Sequence, residues 1–413
     1  MIRAEGVTKI FGPDPESILP LLKQGKKKEE IQRETGHVVG VNNASFELEP
    51  GEVFVIMGLS GSGKSTLIRC INRLIDPTAG KIILKHPERG EEDIAAMDAE
   101  GLRHIRTHEM SMVFQHFALF PHRTVLSNVV YGLEIQGRDK KEREELGRKF
   151  LAMVGLEGWE DHYPFELSGG MQQRVGLARA VATEGKVLLM DEPFSALDPL
   201  IKVQMQNELI KIQQELGRTI LFITHDLDEA MRIGDHIAIM DGGEIVQIGN
   251  PEEILVNPRT EYVANFVEHA DPTGVITAST VALPFKAPHF EPAGEEGGLS
   301  YYVRHGYPDI RFGVDNQGCL QKLVVNGEEA ALADLDEALA RERTGPERRV
   351  DTTVQCNEDT ILRQVLRGRA FTQLPVIVRD TEQRITGVID EPELIHGILE
   401  KRGYALTEEA ASA

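Results

Sequence analysis

Gly58-Leu59-Ser60-Gly61-Ser62-Gly63-Lys64-Ser65-Thr66 is the stretch that decides how this chain folds. It fits the P-loop pattern G-x-x-x-x-G-K-[ST]. Ahead of it, Val53-Phe54-Val55-Ile56-Met57 is a short apolar run rich in β-branched and aromatic residues, which predicts a buried strand. Behind it, Leu67 to Ile75 reads as a helix. In that setting the glycines let the backbone curl so that successive N–H groups face phosphate oxygens. The helix points its positive end at the same anion. Lys64 is then placed to reach the β- and γ-phosphates, and the Ser65 hydroxyl to ligate Mg²⁺. The plain alternative, a Gly/Ser-rich turn with no ligand, does not account for the whole motif with both flanks.

The chain has 413 residues, enough for two or three domains. Hydrophobic residues make up 41% and charged residues 27%, the balance of a globular protein. Mean hydropathy is -0.24, and no apolar run approaches the length of a bilayer span. Met1 to Gly6 lacks the apolar core of a signal peptide. Cys70, Cys319 and Cys356 are few and far apart, which predicts no disulfide framework or metal spacing and a reducing compartment. A net charge of -21 argues against a nucleic-acid partner, which would need a basic face.

Around the P-loop the chain alternates strands and helices. Residues 1–11 read as a strand and 13–37 as an inserted segment of one or two short helices stopped by Gly36. Its run Lys26-Lys27-Lys28 reads as a solvated helix face or as a partner contact. Val38 to Leu48 is a strand, Met110 to Gln115 another, and 124–164 is helical in pattern. Val187-Leu188-Leu189-Met190-Asp191-Glu192 is a strand closed by two carboxylates, and 201–217 is a helix. Thr219 to His225 is a buried strand ending in histidine, and a hairpin turns at Asp241-Gly242-Gly243.

A phosphate cradle alone does not hydrolyse a nucleotide. It needs a second metal anchor and a group that orients water. Asp191 is the candidate anchor beside Ser65, and Glu192 the carboxylate that polarises the attacking water. Gln115 ends a strand, where its side chain reaches Mg²⁺ or the water. His225 ends another, where it reaches the γ-phosphate; taken alone, a strand-end histidine is more often structural. Leu167-Ser168-Gly169-Gly170 opens a helix and forms a second anion-binding nest. One nucleotide does not need two cradles in one subunit, so this nest is expected to meet the nucleotide of a second copy.

In order along the chain, these motifs resemble the ATP-binding cassette ATPases over residues 1 to about 270. The shared features are the P-loop, the glutamine loop, the Leu-Ser-Gly-Gly signature, the acidic strand end, Ser195-Ala196-Leu197-Asp198 and the switch histidine. The resemblance implies a RecA-like P-loop α/β core with antiparallel and helical subdomains, the helical one at about 116–180, and ATP with Mg²⁺. It implies that Phe11 stacks on adenine and that Asp198 couples two sites across a dimer. Met171 departs from the family, where glutamine is frequent, so no ribose contact is expected from it. The insertion 13–37 after Lys9-Ile10-Phe11-Gly12, and the stretches Met190 to Ile201 and His225 to Asp235, are more closely similar to the osmoprotectant branch, the importers of glycine betaine and proline.

That branch implies an ATPase on the cytoplasmic face of the inner membrane. Its partners would be a permease and, indirectly, an extracytoplasmic solute-binding protein. An importer ATPase for another solute, or a soluble cassette ATPase outside transport, are the alternative readings. It also implies a tandem pair of CBS-like modules, α+β in class: a degenerate one at 271–345, a second at 346–405, and a tail at 406–413. Within the second, a helix near Asp359–Leu366, strands at Leu374–Val378 and Ile385–Asp390, and a helix at Glu391–Glu400 are expected. The region reads either as a nucleotide-binding pair or as a ligand-free dimerisation domain.

Overall fold

A computed structural model describes every residue except 87, 88, 116, 117, 269, 343–351, 373 and 401–413. The expected boundary between modules at 345/346, the tail 406–413 and the two residues after Gln115 lie outside the described residues. The chain divides into two compact units, Met1–Ala264 and Asn265–Ala413. The division falls inside the helix Glu261–Val267, ahead of the composition change at Asp271.

In the first unit a six-stranded sheet carries the P-loop strand Val53–Met57 near its centre. On one side lie Thr219–Thr224, Val187–Asp191 and Met110–Val113, all parallel to it; on the other is the hairpin His236–Asp241 and Glu244–Gly249. With His236–Asp241 also parallel to the P-loop strand, five parallel strands put their carboxyl ends on one edge, the edge where α/β sheets bind ligands. All residues of Val53–Met57, Val187–Asp191 and Thr219–Thr224 are buried, because helices or a second sheet cover both faces.

On one face, Phe54, Ile56, Leu189, Leu221 and Met240 pack on Leu67, Ile68 and Ile71 of the helix Lys64–Ile71. That helix in turn meets Ile2, Val41, Phe46 and Ile82 of a four-stranded antiparallel sheet. On the other face Phe194 and Phe222 hold their rings 5.7 Å apart. The inserted segment folds as a 3-10 turn Pro15–Ile18 and helices Leu19–Lys23 and Lys28–Thr35, capped by Gly36 at φ +74°. Ile18 and Ile31 bury against Ile10 and Val39, and Lys26 pairs with Glu34 at 2.6 Å.

The helical pattern at 124–164 resolves into three helices, Val125–Val129, Tyr131–Ile135 and Lys140–Met153, followed by turns. Gly137 at φ +78° ends the second, and Asp139 caps the third by accepting from Lys141 N–H. They pack on the signature helix Gly169–Ala182. A Cβ on Gly147 would lie 2.5 Å from Val130 Cγ1, so only glycine lets these helices approach so closely. The buried Asn128 amide donates to the carbonyls of Phe120, Arg123 and Thr124 and tethers the loop ahead of the helices. The strand expected to reach Gln115 stops at Val113, where its pairing with Met190 ends. The helix expected over 67–75 starts earlier, at Lys64, and ends before Arg73, whose φ is +54°.

In the second unit a nine-stranded sheet has two parts. Thr352–Asn357, Leu362–Phe371, Val376–Arg379, Ile385–Ile389 and Glu391–Glu400 run strand, helix, strand, strand, helix. The expected weaker copy has a different order. Phe290–Glu296, Leu299–Arg304, Tyr307–Val314, Leu320–Val325 and Glu328–Asp334 are consecutive antiparallel strands, with no helix between them among the described residues. Turns at Gly297-Gly298, Gly306 and Gly327 close these hairpins where a crossover helix would be needed. An aromatic cluster of Phe285, Phe290, Tyr302 and Phe312 fills the meander's core.

Candidate nucleotide site

The loop Gly58–Thr66 leaves the P-loop strand at the sheet's carboxyl edge. Gly58 sits at φ +153° and a Cβ there would lie 2.2 Å from the Met240 carbonyl oxygen; on Gly63, at φ +103°, it would lie 2.2 Å from that of Gly40. The backbone is therefore pressed against its neighbours at both glycines, leaving the loop's concave side open. Lys64 Nζ turns back to donate to the Gly58 and Leu59 carbonyls at 2.8 and 3.1 Å. Burial lowers the Lys64 ammonium from its ordinary value, against the upward pull of Glu192 and Asp191. Ser62 Oγ is buried without a hydrogen-bond partner. Leu59, Ser60 and Gly61 are exposed at the loop's tip, and Thr66 lies on the following helix with its Cγ2 beside Gly40.

Asp191 ends its strand two places away across the sheet and is 3% exposed. Ser65 Oγ donates to its Oδ1 at 2.7 Å, and Arg69 Nη2 to its Oδ2 at 3.1 Å. Glu192 follows in the left-handed region, φ +46°, unusual for a side chain with a Cβ. Its N–H donates to Ile223 O at 3.1 Å, and its carboxylate lies 3.0 Å from His225 Nδ1. Gln115 Nε2 donates to Ser195 Oγ at 3.2 Å, and Ser195 Oγ donates to Glu192 O at 3.0 Å. Gln115, Asp191, Glu192 and His225 therefore share one edge with the P-loop, because the strands that carry them are parallel.

Phe11 is 39% exposed at the end of the first strand, and a Cβ on Gly40 would lie 2.8 Å from its ring. Lys9 Nζ lies 5.2 Å from the ring centroid. Ser168 caps the signature helix, its Oγ accepting from Met171 N–H at 3.4 Å; Ser168 and Gly169 are exposed and Gly170 half-buried. Asp198 caps the helix Pro199–Leu216 by accepting from Ile201 N–H at 3.1 Å. Both caps use their side chains on their own helices, and their outer faces carry exposed Phe165 and Leu200.

Three contributors escaped the sequence reading. Arg69 lies one turn beyond Ser65 on the same helix face, and that i, i+4 spacing was a usable signal. Ser195 bridges Gln115 to Glu192, which only the fold shows. The Tyr262 hydroxyl accepts from Leu59 N–H at 3.4 Å and donates to Met240 O at 3.5 Å, from a helix some 200 positions later, with no local signal. A cavity of about 240 Å³ opens near the glutamine strand, lined in part by Leu74, Phe114, Tyr131 and Arg179.

An open amide-lined loop, a buried ammonium, an unpaired buried hydroxyl and a serine–aspartate pair fit a nucleotide's phosphates and a divalent cation. With the fold they define a P-loop nucleoside triphosphatase. Residues 41–195 match the ABC transporter family. The chain is 46% identical over 407 residues to the glycine betaine transport ATP-binding protein OpuAA of Bacillus subtilis, covering 98% of this chain and 94% of that protein. It is 48% identical over 388 residues to the glycine betaine/carnitine transport ATP-binding protein GbuA of Listeria monocytogenes, covering 94% and 95%. Among solved structures, the dimeric ATP-binding cassette MJ0796 with ADP and Pi matches with TM-score 0.51 and 30% identity, over 61% of this chain and 99% of that one. The chain belongs to the ATP-binding cassette family, as an ATP-hydrolysing subunit of a transporter.

Proposed function

We propose that the chain powers uptake of glycine betaine and related osmoprotectants through a membrane permease. What carries the reading is similarity over almost the whole chain, second unit included, to proteins named for betaine transport. The motor residues are proposed as follows. The P-loop amides and Lys64 hold the phosphates, and Ser65, Asp191 and Gln115 hold Mg²⁺, which supplies charge neutralisation at the phosphates when bound. Glu192 orients and accepts a proton from the attacking water, and His225 holds Glu192 in place from one side. Phe11 offers its exposed ring to the adenine.

The signature residues Ser168, Gly169 and Gly170 of one copy close over the nucleotide held by the other, with Asp198 coupling the two sites. Two ATP molecules then favour the closed pair because they bind it more tightly than the open one. Solved cassettes similar to this chain include dimers, which supports that reading. The cavity lined in part by Phe114, Tyr131 and Arg179 supports a concave seat for a permease segment, with the subunit at the cytoplasmic face of the membrane. Residues 1–270 form the cassette, and 346–405 a regulatory CBS-like module. Within that module Asp390 accepts from Arg369 Nη2 at 2.8 Å, so the carboxylate is already engaged by a cation.

The test is betaine uptake by cells lacking their own osmoprotectant importers, supplied with this chain, its permease and its binding protein at low and high osmolarity. Uptake that rises with osmolarity and disappears with Glu192→Gln supports both the solute class and the motor. Intact ATP hydrolysis without betaine uptake keeps the cassette and discards the solute.

A further inference from the structure

Behind the sheet edge, a buried polar cluster joins two segments that the proposed mechanism treats separately. Glu229 is 3% exposed, Gln206 4% and Thr224 2%. Thr224 Oγ1 donates to Glu229 Oε2 and accepts from Asp226 N–H at 3.0 Å. Gln206 Nε2 donates to Glu229 Oε1 at 3.1 Å. Lys202 Nζ donates to Asp226 Oδ2 at 2.8 Å and stands 3.7 Å from Glu229 Oε1. Asp226 also caps the helix Leu227–Ile233 by accepting from Glu229 N–H at 3.1 Å.

Two features of this cluster go beyond packing. The groups it clamps, Thr224 and Asp226, are the neighbours of His225 on either side. Lys202 holds Asp226 directly, and Gln206 reaches Thr224 through Glu229; both come from the helix Pro199–Leu216, whose cap is Asp198. Lys202 N–H donates to Asp198 O at 2.9 Å, and Gln206 lies one turn further along the same face. Its charges do not balance: one half-buried ammonium serves two carboxylates, that of Glu229 buried and that of Asp226 37% exposed. Burial would raise Asp226, yet the Lys202 ammonium and the amides of Glu229 and Asp228 hold it below its usual range, while burial raises Glu229. A buried charged group such as Glu229 is poor value for stability alone, since apolar residues of equal volume serve as well. What it supplies is a fixed geometry, because removing one member leaves the others unpaired.

We infer that Lys202, Gln206 and Glu229 are positioning residues that tie the setting of His225 against Glu192 to the helix begun by Asp198. Displacing Asp198 then moves the imidazole, so contact with a second copy reaches the hydrolytic centre through this cluster. The inference rests on the role proposed above for His225.

The test uses the full-length chain and measures kcat and KM for ATP, with thermal unfolding alongside. Lys202→Met is expected to lower kcat by about tenfold while KM for ATP stays within about twofold, because the chemistry is misaligned and the phosphate cradle is untouched. Lys202→Arg should restore most of the rate. Gln206→Met, which removes a neutral partner, should act in the same direction with a smaller fall and covers the case in which the lysine variant does not fold. The deciding comparison is with His225→Ala: if the cluster works through His225, adding Lys202→Met or Gln206→Met to that variant costs no further rate. An unchanged kcat in both single variants, or the same fractional loss with and without His225, overturns the inference. A His225→Ala chain that hydrolyses ATP at the native rate overturns instead the role of His225 itself.

Discussion

His225 Nδ1 stands 3.0 Å from Glu192 Oε2, although the two residues end different strands. The contact exists because Val187–Asp191 and Thr219–Thr224 are adjacent and parallel, with Asp191 level with Ile223. Each side chain then projects from the first residue past its strand. The Glu192 side chain is 18% exposed and that of His225 54%, so the carboxylate sits behind the imidazole, at the edge of solvent.

Glu192→Gln keeps the shape and loses the charge that accepts a proton. Hydrolysis should fall by about a hundredfold or more, the usual size of a lost general base, with nucleotide binding retained. Phosphate release and nucleotide titration check the two halves. An ATP-dependent dimer should accumulate on size exclusion, because the closed pair no longer reopens.

Lys64→Ala removes the ammonium now donating to Gly58 O and Leu59 O. Charge-assisted contacts to phosphate are among the stronger hydrogen bonds, so affinity for ATP should drop by about tenfold or more. Unchanged affinity for a fluorescent ATP analogue would contradict the assignment.

Asp191→Asn leaves Ser65 a partner but takes the counter-charge from Arg69. The Mg²⁺ concentration for half-maximal hydrolysis should rise severalfold, with metal-free nucleotide binding little altered. An unchanged Mg²⁺ dependence would remove Asp191 as an anchor.

Cys70 and Cys356 are 0% and 3% exposed, and burial pushes both thiols up to about 12. The thiolate is the reactive form, so near pH 8 neither should react in the native protein. Cys319 is half-buried. Alkylation followed by mass spectrometry should label Cys319 alone before unfolding and all three cysteines after it.

Much of the site was legible in the sequence because its chemistry is local. A P-loop needs its glycines and lysine in consecutive positions, and strand-end residues announce themselves as polar groups closing apolar runs. That is how Asp191, Glu192 and His225 could be picked out. Arg69 and Ser195 stood inside or beside quoted motifs, yet their partners are 122 and 80 positions away. Tyr262 had no local signal at all. The meander at 290–334 was misread as a module copy because its strands at Leu299–Arg304 and Tyr307–Val314 are genuine, and only their hairpin turns tell one order from the other.

The sequence by itself determined the elements and their chemistry: buried strands from apolar runs, a phosphate loop from its glycines, a helix opened by Leu167-Ser168-Gly169-Gly170. Only the tertiary structure decided which strands are neighbours and which ends face the same way. That choice set Glu192 against His225 and Ser65 against Asp191, and it tied Lys202 to Asp226 directly and to Thr224 by way of Glu229. The reason is physical: propensity and periodicity act over a few residues, whereas strand order is settled by how the two faces of the sheet are buried together.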